Sequence, residues 1–478
     1  MKHFLRKILI VAVCGLCFHA SAQYDSAAIK LDTSVSSVKI ADTSLVFIAD
    51  ILINGNKKTK PYIIEREIPF KQGQYIVYSD LKKQLELAHE HLINTSLFVD
   101  AQVYVSNQQN DMIFINVDVK ERWYLFPLPY FKLVDRNFNQ WWVENKRSLD
   151  RVNYGIKFMQ NNVSGRNDNL NIWLITGYNR QVNLKYQQPF ADRRLKSGFE
   201  VNFLYSKQHE LNYNTSLSKQ LFFKQDDFVR TLLRAEAAYL YRPAIKTRYK
   251  VGVAYVSDKI ADTINHLNSD FFGNNKTEVR YPEISFSTEY IDVDNIAYPT
   301  KGFLGDVRLL KRGFSENMNM WQLEFHGNYT MPVLPKAQLQ FQAAGILRLP
   351  FDQPYYNQQL LGYGDIFLRG LEYYVIDGVA GIVGRATARQ QVFSYTLKNP
   401  IKSRSHNEIP VRFYLKAFSD VGYAYQKTPT NSLLNNRLLG TYGIGLDIVS
   451  IYDIVFKIEY SFNQLGNGGL FIHSRSDF

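Results

Sequence analysis

The stretch "DIVFKIEYSF", residues 453–462, decides the fold of this chain. From Ile454 to Phe462 every second side chain is apolar, whereas Lys457 and Glu459 lie between them. An alternation with a period of two predicts a β-strand with one apolar face and one charged face. A helix would instead repeat its apolar positions every three or four residues. The stretch therefore predicts a strand whose two faces lie in different surroundings.

The same alternation recurs through the chain beyond Trp123, for example in "QVNLKYQQ" at residues 181–188. A soluble β-sandwich also alternates, so the pattern alone leaves that alternative open. The sequence holds 32 Tyr and 32 Phe, which suit the aromatic girdles of a membrane barrel. A sheet edge cannot stay unpaired in lipid, so the sheet must close. We predict an all-β transmembrane barrel of about 16 antiparallel strands over residues 121–478.

The first 22 residues predict a secretory signal peptide. Three basic residues precede a short apolar run, residues 8–18, and the small residues Ala20 to Ala22 form a cleavage site. No later stretch reaches the roughly 18 to 20 consecutive apolar residues of a transmembrane helix. We therefore assign residues 1–22 to the leader and expect any membrane crossing to be made by strands.

The cysteines and the net charge limit the partners. Both cysteines, Cys14 and Cys17, lie in the leader, so we expect no disulfide in the mature protein. The formal net charge is +12, which could suit nucleic acid, but an exported chain rarely meets any. Anionic lipids and lipopolysaccharide of the outer membrane fit better. We expect these lipids as partners and no nucleic acid.

Motifs of enzymes are missing from the sequence. It contains no Gly-x-Ser-x-Gly elbow, phosphate-binding loop or dinucleotide fingerprint. The closest histidines, His89 and His91, leave opposite faces of a predicted helix, which disfavours metal binding. We therefore expect no enzyme activity, no catalytic residue, no cofactor and no metal site.

The region ahead of the strands divides into two parts. Residues 23–44 are rich in Ser, Ala, Asp and Lys and predict a flexible linker, with a short extra strand as the alternative. Residues 45–120 predict the order strand, helix, helix, strand, strand, enough for one small α+β core. Pro61 suits the first turn of the first helix, and Ser79 is predicted to cap the second. A turn over residues 107–110 is predicted between the last two strands.

Two segments of the barrel region interrupt the alternation. The first, "IDVDNIAYPTKGFLG" at residues 291–305, predicts a turn between two strands. Its turn-forming residues are Asp292, Asp294, Asn295, Pro299 and Gly302. The second, "LLGYGDIFLRGLEYYVIDGVAG" at residues 360–381, contains five glycines that allow it to fold back on itself. We expect this second segment to enter the lumen of the barrel.

The glycine-rich segment carries one arginine, Arg369, between Leu368 and the pair Gly370-Leu371. Burying a guanidinium costs several kcal/mol unless it finds a fixed acceptor, and its planar fork suits a carboxylate. Strand alternation places Asp420 on the inward face, which makes it the best candidate partner. The alternative is a solvated arginine on an external loop.

On these motifs the chain resembles the BamA/TamA-like outer-membrane protein-insertion superfamily, also called bacterial surface antigens. Residues 45–120, with the pair Arg66-Glu67, resemble its polypeptide-transport-associated (POTRA) domain. In this family the arginine of the loop tip is held inside the barrel by an aspartate. The resemblance therefore implies a lumen lock between Arg369 and Asp420. Leu371 stands where the family usually has Tyr or Phe, which leaves an aromatic contact in question.

The resemblance also implies a location and a function. It implies a barrel in the cell outer membrane, with the POTRA domain in the periplasm. The chain would insert or export unfolded client proteins through the POTRA domain and the barrel seam, with accessory periplasmic proteins or lipoproteins as further candidate partners. The sequence leaves two alternatives open: a passive porin-like channel or surface antigen, and a two-partner secretion transporter.

Overall fold

The computed structural model describes five stretches of the chain: residues 42–133, 152–316, 318–398, 408–428 and 431–473. The predicted leader and most of the predicted linker lie outside these residues.

The described chain begins with a small α+β unit. Its elements are β1 (Leu45–Asn54), α1 (Pro61–Glu67), β2 (Tyr75–Val77), α2 (Tyr78–Asn94), β3 (Phe98–Gln109) and β4 (Met112–Glu121). The strands pair in the order β2-β1-β4-β3, and β1 runs parallel to β4. One face of α2 covers the sheet with four buried side chains, Leu81, Leu85, Ala88 and Leu92. No helix in the described part of the chain is long and apolar enough to span a membrane.

Two local predictions in this unit were wrong. Ser79 does not cap α2, which already begins at Tyr78. The amides of Tyr78 and Ser79 donate to the carbonyls of Ser44 and Asp42, so backbone rather than a side chain satisfies the first turn. The predicted turn over 107–110 is also too long, because β3 continues to Gln109 and a tight turn follows.

Beyond this unit the chain is almost entirely strand. The elements are β5 (Leu125–Leu133), β6 (Val152–Asn161), β7 (Asn169–Gly177), β8 (Arg180–Gln188), β9 (Ser197–Gln208), β10 (Glu210–Ser216), β11 (Lys219–Lys224), β12 (Arg230–Tyr241), β13 (Thr247–Ile260), α3 (Asp262–Leu267), β14 (Glu278–Val293), β15 (Gly302–Ser315), β16 (Met318–Leu334), β17 (Ala337–Leu349), β18 (Gln359–Leu361), β19 (Ile376–Asp377), β20 (Ala380–Lys398), β21 (Glu408–Tyr425), β22 (Leu438–Val449), β23 (Val455–Asn463) and β24 (Gly468–His473). Sixteen of these strands, from β5 to β24, pair with their neighbours in one antiparallel sheet; β10-β11 and β18-β19 form separate hairpins. The predicted barrel of about 16 antiparallel strands is confirmed.

The two faces of β23 show how the sheet is oriented. Phe456 is 47% exposed and Tyr460 is 44% exposed, whereas Lys457 is 5% exposed and Glu459 only 1%. The apolar face therefore points outward and the charged face lines the interior. A soluble sandwich would bury the apolar face instead, so that alternative is rejected.

The two ends of the barrel differ. The α+β unit lies against one end, where five connections meet it; we call them the proximal turns: residues 162–168, 189–196, 242–246, 294–301 and 450–454. From the other end the segment between β17 and β20, residues 350–379, folds back into the lumen. We call this segment the inner loop. Its apolar side chains form a buried cluster with the inward side of the barrel: Leu360, Leu361, Ile366, Leu368, Leu371 and Ile376.

Candidate functional site: the inner loop and the docked N-terminal unit

Arg369, at the tip of the inner loop, is bound to a single carboxylate. Its Nε donates to Asp420 Oδ2 at 3.0 Å and its Nη2 to Asp420 Oδ1 at 2.5 Å. The backbone amide of Arg369 also donates to Asp420 Oδ2, at 2.9 Å. Arg369 is 1% exposed and Asp420 is fully buried. One aspartate on β21 thus fixes both the side chain and the backbone of the loop tip.

Three further groups of the barrel wall surround the Arg369 guanidinium. Nη1 donates to Thr387 Oγ1 on β20 at 3.1 Å and lies 3.8 Å from Glu459 Oε1 on β23. The guanidinium carbon also stands 4.0 Å from the centroid of the Phe418 ring, a cation–π distance. The loop tip therefore contacts three strands of the barrel.

The residues beside Arg369 make the loop tip turn. Gly370 has a φ of +90°, in the left-handed region that favours glycine. Its amide donates to Glu372 Oε2 at 2.6 Å, and its carbonyl accepts from Asn463 Nδ2 at 2.7 Å. Leu368 and Leu371 are buried in the apolar cluster of the inner loop. Leu371 thus packs in the apolar cluster at the position where the resemblance led us to ask about an aromatic contact.

A chain of buried polar groups runs from the loop tip to the proximal end. Lys416 Nζ lies 2.6 Å from Glu459 Oε1 and 2.5 Å from Asp447 Oδ1. The hydroxyl of Tyr298 donates to Asp447 Oδ2 at 3.0 Å, and the Tyr298 ring stacks beneath the guanidinium of Arg389 at 4.1 Å. Because Tyr298 belongs to the proximal turn at 294–301, this turn and the loop tip share one network.

Two of the five residues predicted to form that turn, Asp294 and Asn295, fold it with their side chains, whereas Asp292 lies in β14 and Gly302 begins β15. Asp294 accepts from the amide and the hydroxyl of Thr300 at 2.8 and 2.5 Å. Asn295 Oδ1 accepts from the amide of Tyr298 at 3.0 Å, and the following residue, Pro299, is buried. These bonds fold the turn so that the Tyr298 side chain enters the lumen.

Gly302→Ala should destabilise the protein by more than about 1 kcal/mol, because alanine strongly disfavours this backbone conformation. Gly302 has a φ of +102°, and an added Cβ would lie 2.0 Å from the carbonyl oxygen of Asp292. Denaturant unfolding in detergent measures the effect. Gly364→Ala is the control, because its Cβ would meet nothing within 4 Å. Equal midpoints for the two variants would contradict the steric argument.

The α+β unit is held to the barrel by what we call the docking clamp, formed by Arg66, Glu67 and Arg242. Glu67, which ends α1, is 1% exposed and accepts from Arg242 Nη1 at 2.6 Å and Nη2 at 2.7 Å. Arg66 donates to Glu67 Oε1 at 3.1 Å and to the backbone carbonyls of Leu195 and Arg242 at 2.7 and 3.0 Å. Two proximal turns are thereby tied to one helix end.

The charged groups of the docking clamp shift one another's pKa values. Burial by itself would raise the pKa of Glu67, but the guanidinium groups of Arg242 and Arg66 outweigh it and lower that pKa below its usual value. Burial and repulsion by Arg242 lower the pKa of Arg66 to about 10, although Glu67 opposes the shift. Both groups stay charged at neutral pH. The carboxylate of Glu67 is therefore the group that holds the two arginines together.

The C-terminal end of α2 contacts the turn that contains Tyr298. Asn94 Nδ2 donates to the carbonyl of Val293 at 2.7 Å, and its Oδ1 accepts from the amide of Ile296 at 3.0 Å. One turn of helix earlier, Glu90 pairs with Lys301 at 2.7 Å. Beside this contact lies a polar cavity of about 700 Å³, lined by both the α+β unit and the barrel wall. The unit thus covers part of the proximal opening.

Several residues of this site were missed from the sequence. Glu459 lies on the charged face of the stretch at 453–462, so the alternation could have placed it in the lumen, although not beside Arg369. Asp447 and Tyr298 carry no motif that pairs them. Arg242 lies 175 positions from Glu67, and no local signal connects the two.

A sixteen-stranded barrel with a loop bound in its lumen and an α+β unit at one end defines an outer-membrane β-barrel protein with an N-terminal docking domain. The chain belongs to the Omp85 superfamily: the Omp85 superfamily domain matches residues 162–451. The POTRA family, described as a surface antigen variable number repeat, matches residues 46–122. These matches confirm the predicted barrel family with one POTRA domain. Members of this superfamily are transport and assembly proteins.

Solved structures of similar shape include two kinds of protein. BamA from Haemophilus ducreyi lacking POTRA domains 1–3 is 15% identical, with a TM-score of 0.48 over 90% of this chain and 83% of that chain. CdiB from Escherichia coli is 9% identical, with a TM-score of 0.46 over 94% of this chain and 92% of that chain. CdiB from Acinetobacter baumannii is 14% identical, with a TM-score of 0.45 over 88% and 71%. A search of curated proteins gave no match.

Proposed function

We propose that this chain inserts or exports unfolded client proteins at the outer membrane, in the manner of the BamA/TamA-type barrels. In this proposal residues 23–44 are a linker, residues 45–120 are the periplasmic POTRA domain and residues 121–478 are the barrel. The observation that carries the proposal is the inner loop, which is bound inside the lumen by buried ion pairs.

The inner loop argues against a passive channel. Its apolar side chains are buried against the barrel wall, and Arg369 is held there by Asp420 and Thr387. A porin-like channel needs a lumen through which water and solutes pass steadily. A loop fixed by buried charges occupies that route. Exit of a client through the barrel wall therefore agrees better with this arrangement than steady passage of solutes through the lumen.

The seam between the first and last strands offers such an exit. β5 and β24 end the strand order of the sheet, and no backbone hydrogen bond between them occurs among the described residues. A strand edge with free backbone groups is a template for another strand. An incoming client strand can therefore pair at β24.

The POTRA domain supplies the other half of the route. The docking clamp and Asn94 hold it at the proximal turns, beside the polar cavity. Its sheet has edge strands at β2 and β3, to which an extended segment can add by backbone pairing. Unfolded clients are thus the expected partners, with accessory periplasmic proteins or lipoproteins beside the domain and lipopolysaccharide around the barrel.

A site-specific photo-crosslinker tests where clients meet the barrel. We expect a crosslinker in place of Ile472 on β24, which is 69% exposed, to capture unfolded outer-membrane proteins in cells. The matched control is Val253 on β13, which is 55% exposed and lies far from the seam in the strand order. Capture at Ile472 well above Val253 supports the proposal, and equal capture contradicts it.

Single-channel conductance separates the proposal from a porin-like channel. Because the inner loop lies across the lumen and is bound there, the full-length chain should give small or transient currents in planar bilayers. A large steady current that is insensitive to deletion of residues 45–120 would instead favour the passive channel.

A further inference from the structure

Three side chains with metal-binding atoms converge between the inner loop and the last two strands. Glu372 comes from the inner loop, Glu459 from β23 and His473 from β24. His473 Nε2 lies 3.5 Å from Glu372 Oε1 and 3.4 Å from Glu459 Oε2. The Glu459 side chain is 1% exposed, and those of Glu372 and His473 are 15% and 24% exposed. The cluster is thus largely shielded from solvent.

Two of the three converging atoms have no hydrogen-bond partner in the part of the chain that the structure describes. Within the described residues, Glu372 Oε1 and His473 Nε2 are buried and have no hydrogen-bond partner. An imidazole nitrogen that faces two carboxylate oxygens is stable only with a positive charge between them, because the lone pairs otherwise repel one another; either a proton on Nε2 or a metal cation supplies it. A cation bound at the point where the three atoms converge would supply that charge.

The spacing of these atoms fits a tetrahedral cation. Zinc binds nitrogen and carboxylate oxygen at about 2.0 to 2.1 Å, so two ligands of a tetrahedral site lie roughly 3.3 Å apart. The two distances from His473 Nε2 are close to this value. A histidine nitrogen also favours zinc over magnesium or calcium, which prefer oxygen ligands. A water molecule would complete the fourth position.

Outer partners hold each of the three side chains in place. The amide of Gly370 donates to the other oxygen of Glu372 at 2.6 Å. Lys416 Nζ lies 2.6 Å from the other oxygen of Glu459. The His473 ring packs against the Phe367 ring, with centroids 5.7 Å apart. Such partners orient metal ligands and leave the facing atoms directed at the common centre.

We propose that Glu372, Glu459 and His473 form a binding site for a zinc-type divalent cation that ties the last barrel strand to the inner loop. This departs from the expectation of no metal site, which considered only histidines close in sequence. The bound cation cross-links β24, at the seam, to the loop tip that carries Arg369. The site itself does not depend on the proposed function.

Zinc titration of the full-length protein in detergent, after chelator treatment, tests the proposal. We expect one zinc ion per chain. His473→Asn and Glu372→Gln should each weaken binding by at least about tenfold, since even outer partners of metal ligands are worth that much. His209→Asn is the control, because the His209 ring lies between Tyr178 and Phe228, away from this cluster. No zinc binding by the unaltered chain, or equal affinities in all variants, would overturn the proposal.

A second measurement keeps the test valid if a variant folds poorly. Zinc should raise the temperature at which the unaltered barrel loses its compact form on semi-native gels, and magnesium at the same concentration should not. A temperature that is equally insensitive to both ions, or equally raised by both, counts against the site.

Discussion

Arg369→Ala lowers the free energy of unfolding by about 3 to 5 kcal/mol, the usual cost of removing one partner from a buried ion pair. The variant leaves the fully buried carboxylate of Asp420 without its two-pronged donor. Arg385, whose Nε lies 3.8 Å from Asp420 Oδ2, still faces that carboxylate in the variant. We therefore expect a loss of stability near the lower end of this range. Equilibrium unfolding in detergent, followed by semi-native electrophoresis, measures the change.

A double-mutant cycle with Asp420→Ala isolates the contact itself. Because the two groups act on each other, the double variant should lose clearly less stability than the sum of the single losses. Arg280→Ala is the matched control: Arg280 also pairs with a carboxylate, Glu278, but is 63% exposed, so we expect little change. If the losses of Arg369→Ala and Asp420→Ala simply add, the lumen lock is wrong as a stabilising contact.

Glu67→Gln is the second large effect, and we expect it to loosen the POTRA domain from the barrel by about 3 to 5 kcal/mol. The amide keeps the shape of the side chain but leaves two buried guanidinium groups, on Arg66 and Arg242, without a compensating charge. Hydrogen exchange at the Ile296 amide, which donates to Asn94 across the interface, reports the loosening. Exchange there should become much faster than in the unaltered protein.

Glu90→Gln is the matched control for Glu67→Gln. It alters a carboxylate on the same side of the α+β unit, but Glu90 pairs with a half-exposed lysine, Lys301. Such a pair contributes only about 0 to 1 kcal/mol, so exchange at Ile296 should stay close to that of the unaltered protein. Equal effects of the two substitutions would mean that the docking clamp does not hold the domain.

The docking should also depend on pH in a defined direction. The pKa of Glu67 in the folded protein lies below its ordinary value of 4.5, so its contribution is fully present above about 4.5. As the pH falls through the lowered pKa, the carboxylate takes up a proton and the contribution is lost. The protection factor of the Ile296 amide, in which the pH dependence of intrinsic exchange is divided out, should therefore fall below pH 4.5 in the unaltered protein, whereas Glu67→Gln should lack this Glu67-dependent fall.

Local predictions succeeded where the deciding interaction is short-range or periodic. The alternation in the stretch at 453–462 gives the direction of each side chain relative to the sheet, and the structure places Lys457 and Glu459 inside as that alternation requires. The predicted cap at Ser79 failed because the first turn of α2 takes its partners from the preceding backbone, Asp42 and Ser44. The capping propensity of a serine does not predict which backbone carbonyls the folded chain brings close to the start of the helix.

The sequence by itself determined the fold class, because strand period and the need to pair every backbone group in lipid are properties of the chain and its solvent. It also contained the motifs of the loop tip and of the turn after β14. Only the tertiary structure decided which side chains meet: Glu67 with Arg242, and Glu372 with His473. These pairs depend on strand register, on the path of the inner loop and on how the α+β unit docks. Residues far apart in sequence therefore become neighbours only when the barrel closes around the loop.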